Sequence, residues 1–445
     1  MSKIQIFHAR SLVTSNQNFE VIDDAFMVVE GEMIREVGTW KRRPRIRAAK
    51  EVDLTYGLIT PGLFNLHTHL PMTMLRGIAE DVDFHTWLYD YIFPVESKWV
   101  KPDFCQLGTQ VALLESIRFG ITYVADMYYF SESIGKVIEQ MGVRALLGQH
   151  VFDPPAPDFA NRDLAIEGVR KLAKKYKNHP KIQVSINPHA PYTCSQETLK
   201  ACAATAKELN IPLMIHLAET AWEVGEIRSK FNMTPVEYIS KGNILDVDHV
   251  LLPHSVWPST SDFKLLERPN VTAILNPQCN AKLASGIAPV EEYMKRSIRF
   301  AMGTDGAASN NALDIFSELN FLAKIHHVTF KNMTGLPGPQ LFSAATRTAA
   351  EAVGRAKTLG SLEPGKMADF IVIDLRAPHL TPFTDAYAHL IYAIRGQDVD
   401  STYVGGKPLM KNRKILVADE AKIRAKAEGM WKKIRAHLHS IRRSK

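Results

Sequence analysis

Short apolar segments alternate with longer helical patterns through the middle of this 445-residue chain. Helical patterns such as residues 106–118, 195–208, 234–241 and 262–266 lie between the apolar segments. Eight strand-then-helix units over roughly 300 residues predict a (β/α)8 TIM barrel of the α/β class. A doubly wound sheet would need a glycine-rich phosphate turn after its first strand, and the sequence contains none. The predicted strands are residues 63–66, 122–127, 144–148, 182–186, 212–215, 250–253, 271–275 and 299–303.

The two ends of the chain have a different pattern, with short strand-like segments separated by turns. Residues 4–9 and 25–30 are apolar or alternating, and residues 370–374 are apolar after a turn-rich stretch at 360–369. Each end is too small to bury a core alone, so we expect the two to pair into one small β-sandwich domain. The predicted domains are 1–58 (first part of the β-sandwich), 59–357 (the barrel), 358–418 (second part of the β-sandwich) and 419–445 (a basic amphipathic C-terminal helix).

The formal net charge of +7 is concentrated at the C-terminus. Residues 411–445 contain 12 Lys or Arg and 3 Asp or Glu, a net charge of +9 that leaves −2 for the rest of the chain. The excess of basic residues therefore gives no information about the charge of a substrate pocket. Apolar residues recur in the tail at three- or four-residue steps, which predicts a surface helix docked on the body. Binding of nucleic acid or an anionic membrane is the less favoured alternative. The apolar residues are Ile423, Ala427, Met430, Ile434, Leu438 and Ile441.

Cysteine usage and hydropathy indicate the compartment. No apolar run approaches the length that a membrane span needs, and the N-terminus has no signal-peptide block. The four cysteines are scattered without a Cys-x-x-Cys pair. We therefore expect a reduced, cytoplasmic protein without a thiolate metal site. We also expect a homo-oligomer with a small-molecule substrate and no membrane or nucleic-acid partner.

An apolar run that starts at Gly57 ends in two histidines, His67 and His69, with one residue between them. If the run is a strand, both side chains point to the same face, because side chains alternate along a strand with period two. On its own, such a pair is as readily explained by surface or core histidines as by a metal site. In a barrel of this kind, reactive groups lie at the carboxyl ends of the strands. Other predicted strand ends supply His189, His216, His254 and Asp305.

Imidazoles and a carboxylate together suit a borderline divalent ion, with zinc as the first expectation and Fe²⁺ or another divalent ion as the alternative. A zinc-bound water has a pKa of about 7, so hydroxide is available near neutral pH. Hydrolysis then requires a base for the water and an acid for the leaving group. Asp305 is placed to take the proton of the water, and His254 to orient or polarise it. Glu219 lies three residues after His216, within reach of the same pocket.

Several motifs resemble those of the amidohydrolase superfamily, and the resemblance covers nearly the whole chain. They are Pro61-Gly-Leu-Phe-Asn-Leu-His67-Thr-His69, His216-Leu-Ala-Glu219, His254-Ser-Val, Gly303-Thr-Asp305-Gly and Gly360-Ser-Leu-Glu-Pro-Gly-Lys-Met-Ala-Asp369. Within the superfamily the chain is most similar to the 5-methylthioadenosine/S-adenosylhomocysteine deaminases. The motifs that indicate this are Phe93-Pro-Val-Glu96, Pro188-His189-Ala-Pro-Tyr-Thr and Thr304-Asp305-Gly-Ala-Ala-Ser-Asn-Asn311.

The resemblance implies a single-metal site. Glu219 would protonate the purine ring nitrogen as hydroxide adds at C6, while Asp305 and His254 would manage the protons of the water. Binuclear hydrolases of this kind need a carboxylated lysine at the end of strand four, and residues 185–192 contain no lysine, whereas Lys181 lies at the wrong end. This favours one ion per subunit and argues against ring-opening amidases of the hydantoin or dihydroorotate type. The implied zinc ligands are His67, His69, His216 and Asp305.

The resemblance also implies a binding site for the rest of the substrate. Glu96 would accept hydrogen bonds from the ribose hydroxyls, and His189 would contact the base or ribose. The alternatives are a solvated helix-start carboxylate for Glu96 and a structural role for His189. Relatives that accept S-adenosylhomocysteine pair its carboxylate with arginines, whereas one such position is Gln149 here and Arg162 is the candidate for the other. We therefore expect a preference for methylthioadenosine or adenosine over S-adenosylhomocysteine.

The leading prediction is a zinc-dependent hydrolytic deaminase that converts adenosine-type nucleosides to inosine-type products and ammonia. The near alternative is the same chemistry on another heterocycle, such as guanine, an oxidised purine or a chlorinated s-triazine. A free base has no ribose, so Glu96 would matter little in that case. An alternative of another class is a non-catalytic scaffold on the same fold, which is disfavoured because the expected metal ligands are all present in the sequence.

Overall fold

The computed structural model describes residues 4–47 and 49–444, except for the side chains of Phe84 and residues 439–444. The chain begins with strands that precede the barrel. The first strand pairs antiparallel with the second and parallel with the fourth, and the second pairs antiparallel with the third. These strands are β1 (Ile4–Val13), β2 (Val21–Glu30), β3 (Met33–Thr39) and β4 (Lys50–Pro61).

A second set of strands forms one parallel sheet in chain order. Each strand overlaps a segment predicted from the sequence, and the predicted barrel is confirmed. Every residue of the second and third strands of this sheet is buried, because both faces are covered and apolar side chains fill the interior. The strands are β5 (Leu63–Thr68), β6 (Ile121–Tyr128), β7 (Arg144–Val151), β8 (Ile182–Pro188), β9 (Leu213–Met214), β10 (Val250–Pro253), β11 (Val271–Leu275) and β12 (Arg299–Met302).

The first and last barrel strands approach each other at their carboxyl ends and nearly close the barrel. The backbone N–H groups of Thr304 and Asp305 donate to the carbonyl oxygen of His67, at 3.1 and 2.9 Å. The side chain of Asn65 bonds both the hydroxyl and the backbone N–H of Thr304, at 2.7 and 3.1 Å. A Cβ at Gly303 would lie 2.8 Å from the Cβ of His67, so only glycine permits this approach.

The last strands of the chain join the first strands in an eight-stranded mixed sheet. Pairing of Phe370 with Pro61 connects the two chain ends. The Phe370 ring also lies 5.0 Å from Phe7 and 4.4 Å from Tyr403, so residues from both ends share one core. The prediction of a barrel that carries a small β domain built from both termini is confirmed. The strands are β13 (Phe370–Asp374), β14 (Val399–Val404), β15 (Lys407–Lys411) and β16 (Lys414–Ile415).

Helices surround the barrel, and most follow a barrel strand. The predicted domain ranges 1–58, 59–357, 358–418 and 419–445 remain predictions, and β4 continues across the predicted boundary at 58/59. The helices are α1 (Phe84–Thr86), α2 (Phe93–Trp99), α3 (Pro102–Arg118), α4 (Ser131–Met141), α5 (Arg162–Lys175), α6 (Gln196–Leu209), α7 (Ala221–Phe231), α8 (Pro235–Lys241), α9 (Phe263–Leu266), α10 (Pro277–Lys282), α11 (Val290–Lys295), α12 (Ile315–Phe330), α13 (Gly338–Ala344), α14 (Arg347–Ala352), α15 (Ala386–Ala388) and α16 (Glu420–Ser444).

The basic helix α16 lies against α3, and its apolar residues contact the protein body. Ile434 is fully buried, and the side chain of Ile441 lies outside the described residues. The indole N–H of Trp99 donates to Nδ1 of His437 at 3.2 Å. Among the described residues, no helix combines the length and the apolar character that crossing a bilayer requires.

Candidate active site

The two histidines at the end of β5 meet the aspartate that follows β12. His67 is fully buried near the end of the strand, and His69 lies just beyond it with 9% of its surface exposed. Their Nε2 atoms lie 3.2 and 3.1 Å from Oδ1 of Asp305. Because the barrel is nearly closed, these three side chains from its first and last strands come together.

Two further histidines complete this buried cluster. His216 follows β9, and its ring centroid lies 4.9 Å from that of His67. His254 follows β10, and its ring lies 5.4 Å from His67 and 5.5 Å from His216. Two overlapping groups, His67–His216–His254 and His67–His69–Asp305, each have ligand atoms within 4.8 Å of one another. The side chains thus converge closely enough to share one ion.

Hydrogen bonds on the outer nitrogens orient the rings. Nδ1 of His69 bonds the carbonyl of Met127, and Nδ1 of His216 bonds the carbonyl of His189 at 2.7 Å. A carbonyl oxygen only accepts, so both Nδ1 atoms carry a proton, and the neutral form of each ring has its lone pair on Nε2. This is the arrangement in which a histidine binds a metal while a second group holds its ring. His254 Nδ1 lies 2.9 Å from Oδ1 of Asn280 in the same manner.

The centre of the cluster contains buried polar atoms without partners. Within the described residues, neither ring nitrogen of His67 makes a hydrogen bond, and neither does Oδ1 of Asp305. Their 3.2 Å contact is close but is not aligned as a hydrogen bond. Each unsatisfied buried group costs about 1–3 kcal/mol. Imidazole nitrogens and a carboxylate oxygen are zinc ligands, so the donor set fits a divalent ion that would satisfy these atoms.

Asp305 is held so that one oxygen remains available. The Ser309 hydroxyl donates to its Oδ2, and the Cys279 thiol donates to the same atom at 3.0 Å. Burial opposes ionisation of the carboxyl, but His67 and His69 outweigh burial and keep the pKa of Asp305 well below its usual value. The backbone at Asp305 has φ of 61°, a left-handed conformation that a non-glycine residue adopts at a cost.

Glu219 lies beside the cluster. Its Oε2 is 3.8 Å from Nε2 of His254, and burial raises the pKa of the carboxyl. Glu223 accepts hydrogen bonds from the backbone N–H groups of Ala218 and Glu219, both at 2.9 Å, and so holds the loop after β9. Glu219 is therefore a buried carboxyl that keeps its proton at a higher pH than an exposed glutamate.

The cluster lies in a pocket at the carboxyl ends of the strands. Glu96, on α2, lines this pocket, and its Oε1 accepts a hydrogen bond of 2.6 Å from the Tyr128 hydroxyl. Burial raises the pKa of Glu96 to about 7. His189 also lines the pocket and stacks on Phe152 with ring centroids 4.5 Å apart. Other residues of the lining are Trp87, Leu88, Ile92, Phe93, Tyr129 and Tyr192.

Two predicted substrate residues do not line this pocket. Gln149 donates to Oδ2 of Asp158 at 2.9 Å, and Arg162 forms ion pairs with Glu197 and Asp163. Neither residue lines the pocket, so their contacts with substrate remain predictions.

Sequence reasoning missed four polar side chains that lie in the site. Tyr128 and His150 line the pocket from β6 and β7, and Ser309 and Cys279 hold Asp305. The available signal for Tyr128 and His150 was their position at the carboxyl ends of predicted strands. Ser309 lies within the motif that begins at Thr304, whereas Cys279 had no comparable signal.

The barrel and its buried histidine–aspartate cluster are those of a metal-dependent hydrolase. The sequence profile of the amidohydrolase family matches residues 58–409. The chain belongs to the amidohydrolase family.

Named relatives and a solved structure agree with this assignment. The chain is 37% identical to a 5-methylthioadenosine/S-adenosylhomocysteine deaminase of Syntrophobacter fumaroxidans, over 88% of this chain and 89% of the relative. It is 38% identical to a 5'-deoxyadenosine deaminase of Methanosphaera stadtmanae, over 84% and 87% of the two chains. A zinc-bound adenosine deaminase from Xanthomonas campestris has a similar structure, with a TM-score of 0.95, 31% identity and coverage of 97% and 98%.

Proposed function

We propose that this protein is a zinc-dependent hydrolytic deaminase of adenosine-type nucleosides, which releases ammonia and an inosine-type product. The observation that carries the proposal is the buried cluster of free lone pairs on His67, His69, His216 and Asp305 beside the carboxyl of Glu219. The names of the relatives, which include methylthioadenosine, S-adenosylhomocysteine and 5'-deoxyadenosine deaminases, support the same substrate class.

The proposed ion is held by three imidazoles and one carboxylate oxygen. When bound, zinc lowers the pKa of a coordinated water to about 7 and so supplies a nucleophile near neutral pH. We propose one ion per subunit, because the two groups that contain the proposed ligands share His67 and no lysine lies at the end of β8. Fe²⁺ or another divalent ion is the alternative. The ligands in this proposal are His67, His69, His216 and Asp305.

The proposed chemistry transfers protons at the ring nitrogen, the amino group and the new C6 oxygen while water replaces the amino group at C6 of the purine. Glu219, with its raised pKa, donates a proton to the ring nitrogen as the water oxygen bonds to C6. Asp305 and His254 take the proton of the water and return it to the amino group. The C6–N bond then breaks and ammonia leaves, while the C6 hydroxyl becomes a carbonyl and returns a proton to Glu219. Adenosine and water thus become inosine and ammonia.

The proposed sugar contacts are made by other residues of the pocket lining. Glu96 accepts hydrogen bonds from the ribose hydroxyls, and Tyr128 holds its carboxyl in place. His189 contacts the base or ribose. Gln149 carries no charge, and Arg162 is already paired with Glu197, so neither provides a free cation for an amino-acid carboxylate. We therefore propose that methylthioadenosine and adenosine are preferred over S-adenosylhomocysteine.

An ammonia-release assay on protein of known metal content tests the proposal. The substrates are adenosine, methylthioadenosine, S-adenosylhomocysteine, guanine and an s-triazine. We expect turnover of the first two with about one zinc per chain. Turnover of guanine or the triazine alone would assign the protein to another heterocycle, and ammonia release from none of the five would contradict the deaminase proposal. Comparable kcat/KM values for all three nucleosides would contradict the proposed preference.

We propose in addition a cytoplasmic homo-oligomer. Light scattering of the purified protein tests the oligomeric state, and a monomer at micromolar concentration would contradict it.

A further inference from the structure

His150 is a buried residue of the pocket wall, and its ring nitrogens have no hydrogen-bond partner among the residues that the structure describes. It lies near the end of β7, lines the pocket and has 4% of its surface exposed. Neither of its ring nitrogens makes a hydrogen bond to any part of the chain that the structure describes. A buried polar group without a partner is costly, so native structures normally satisfy it. Because this ring borders the pocket, the partner is expected to be a molecule that enters the pocket.

The ring of His150 is not part of the proposed metal site. Among the described residues, none of the groups close enough to hold an ion includes it. Its centroid lies 6.0 Å from His69 and 5.6 Å from His189. Edge-to-face contacts with Tyr129 and Phe152, both at 5.2 Å, hold the ring in one orientation. His150 is therefore a rigid hydrogen-bonding group separate from the histidines that would bind zinc.

The neighbours of His150 indicate which part of a substrate it meets. The Tyr128 ring lies 6.3 Å away, and its hydroxyl holds Glu96, the proposed acceptor for the ribose hydroxyls. With the 2' and 3' hydroxyls assigned to Glu96, the polar group left at this end of a nucleoside is the 5' substituent. The described lining of the pocket contains three carboxyl groups, Glu96, Glu219 and Asp305, and no lysine or arginine.

We propose that His150 is a specificity-determining residue that hydrogen-bonds the 5' substituent of the nucleoside and favours uncharged groups at that position. A neutral imidazole has one donor and one acceptor, which suits a hydroxyl. A carboxylate on the 5' substituent would meet no cation in the pocket lining and would lose its hydration. This inference rests on the proposed function, because it takes an adenosine-type nucleoside as the substrate.

Two substrates that differ in one oxygen test the contact. His150→Phe keeps an aromatic ring at this position and removes both nitrogens. We expect the KM for adenosine to rise about five- to tenfold, the change of one lost hydrogen bond, with kcat and zinc content nearly unchanged. Because 5'-deoxyadenosine has no 5' oxygen, the KM for this substrate should change less than about twofold by the same argument. His8→Phe, the same substitution in β1, is the matched control and should leave both constants unchanged.

Equal KM values for wild type and His150→Phe on adenosine would overturn the proposed contact. Equal losses for adenosine and 5'-deoxyadenosine would overturn its assignment to the 5' substituent. His150→Lys introduces a cation and should raise the ratio of kcat/KM for S-adenosylhomocysteine to that for adenosine by about tenfold. If His150→Lys does not fold, the decision rests on His150→Phe.

Calorimetric titration separates this inference from the proposed function. Inosine and 5'-deoxyinosine are the probes, and neither requires turnover. If wild type releases no ammonia from any nucleoside, the proposed function fails. Weaker binding of inosine by His150→Phe, with binding of 5'-deoxyinosine unchanged, would then still support the contact. Unchanged binding of both probes would overturn the contact, whatever the activity.

Discussion

Two buried ionic clusters lie at opposite ends of the barrel. At the carboxyl end, His67 and His69 face Oδ1 of Asp305. At the amino end, Arg144 at the start of β7 pairs with Asp369 just before β13, through bonds of 2.5 and 3.0 Å. Both clusters are nearly inaccessible to solvent, so burial of charge alone does not distinguish them.

The clusters differ in how completely their polar atoms are satisfied. Arg144 also donates to the carbonyl of Pro180 at 3.0 Å, and Asp369 accepts from the backbone N–H of Gly405 at 2.7 Å. Every side-chain nitrogen of Arg144 and both carboxylate oxygens of Asp369 therefore have a protein partner. The pair connects the barrel to the terminal sheet. The His67–Asp305 cluster keeps free lone pairs and therefore has capacity for a ligand. Substitutions in the two clusters should therefore affect different properties of the protein.

The largest expected effect is on the carboxyl-end cluster. His216→Ala removes one Nε2 donor, so we expect stoichiometric metal to be lost and ammonia release to fall to background. Metal analysis by plasma mass spectrometry and the ammonia assay measure the two results. His379→Ala, at a half-exposed histidine paired with Asp398, is the matched control. A full equivalent of metal in His216→Ala would contradict the ligand assignment.

Glu219→Gln tests the proton donor separately from metal binding. The amide keeps the shape of the side chain but has no carboxyl proton to donate, so kcat should fall by about 10²–10⁴-fold while metal content stays at the wild-type value. Glu226→Gln, on helix α7 shortly after Glu219, removes a carboxylate paired with Lys230; it is the control and should retain activity. Full activity of Glu219→Gln would show that the acid is another group.

Substitution in the amino-end cluster should change the stability of the protein and not its metal binding. Arg144→Ala leaves Asp369 buried without its partner, so the free energy of unfolding should fall by about 3–5 kcal/mol. Denaturant titration measures this loss, and the metal content of the folded fraction should not change. Arg376→Ala breaks an exposed pair with Asp374 and should cost about 1 kcal/mol or less. Metal loss in folded Arg144→Ala would contradict the separation of the two clusters.

The smallest expected effect concerns the second oxygen of Asp305. Ser309→Ala removes one of the two donors to Oδ2, so metal affinity should fall by about tenfold, near the lower end of the range for such supporting groups. Competition with a chelator measures the affinity. Ser229→Ala, an exposed serine on α7, should leave it unchanged. Unchanged affinity in Ser309→Ala would show that the thiol of Cys279 alone is sufficient.

The sequence determined the strand order and the chemical groups at the strand ends. Alternation of apolar and helical segments is a local pattern, and the end of a strand is readable within a few residues. His67, His69, His216, His254 and Asp305 were therefore identifiable as one set without coordinates. Gln149 was the residue predicted from the sequence, whereas the residue that lines the pocket is its neighbour His150. Neighbouring residues of a strand face opposite sides, so an error of one position places the wrong residue in the pocket.

Tertiary structure alone decided which atoms are free. The pairing of His216 with the carbonyl of His189, and of Asp305 Oδ2 with Cys279, joins groups that follow different barrel strands and meet only when those strands pack side by side. Ser309, by contrast, lies only four residues after Asp305. The same packing left the ring nitrogens of His67 without a hydrogen-bond partner among the described residues and enclosed His150 between aromatic rings. Hydrogen-bond partners far apart in sequence are set by the packing of whole strands, so residue type and spacing do not specify them.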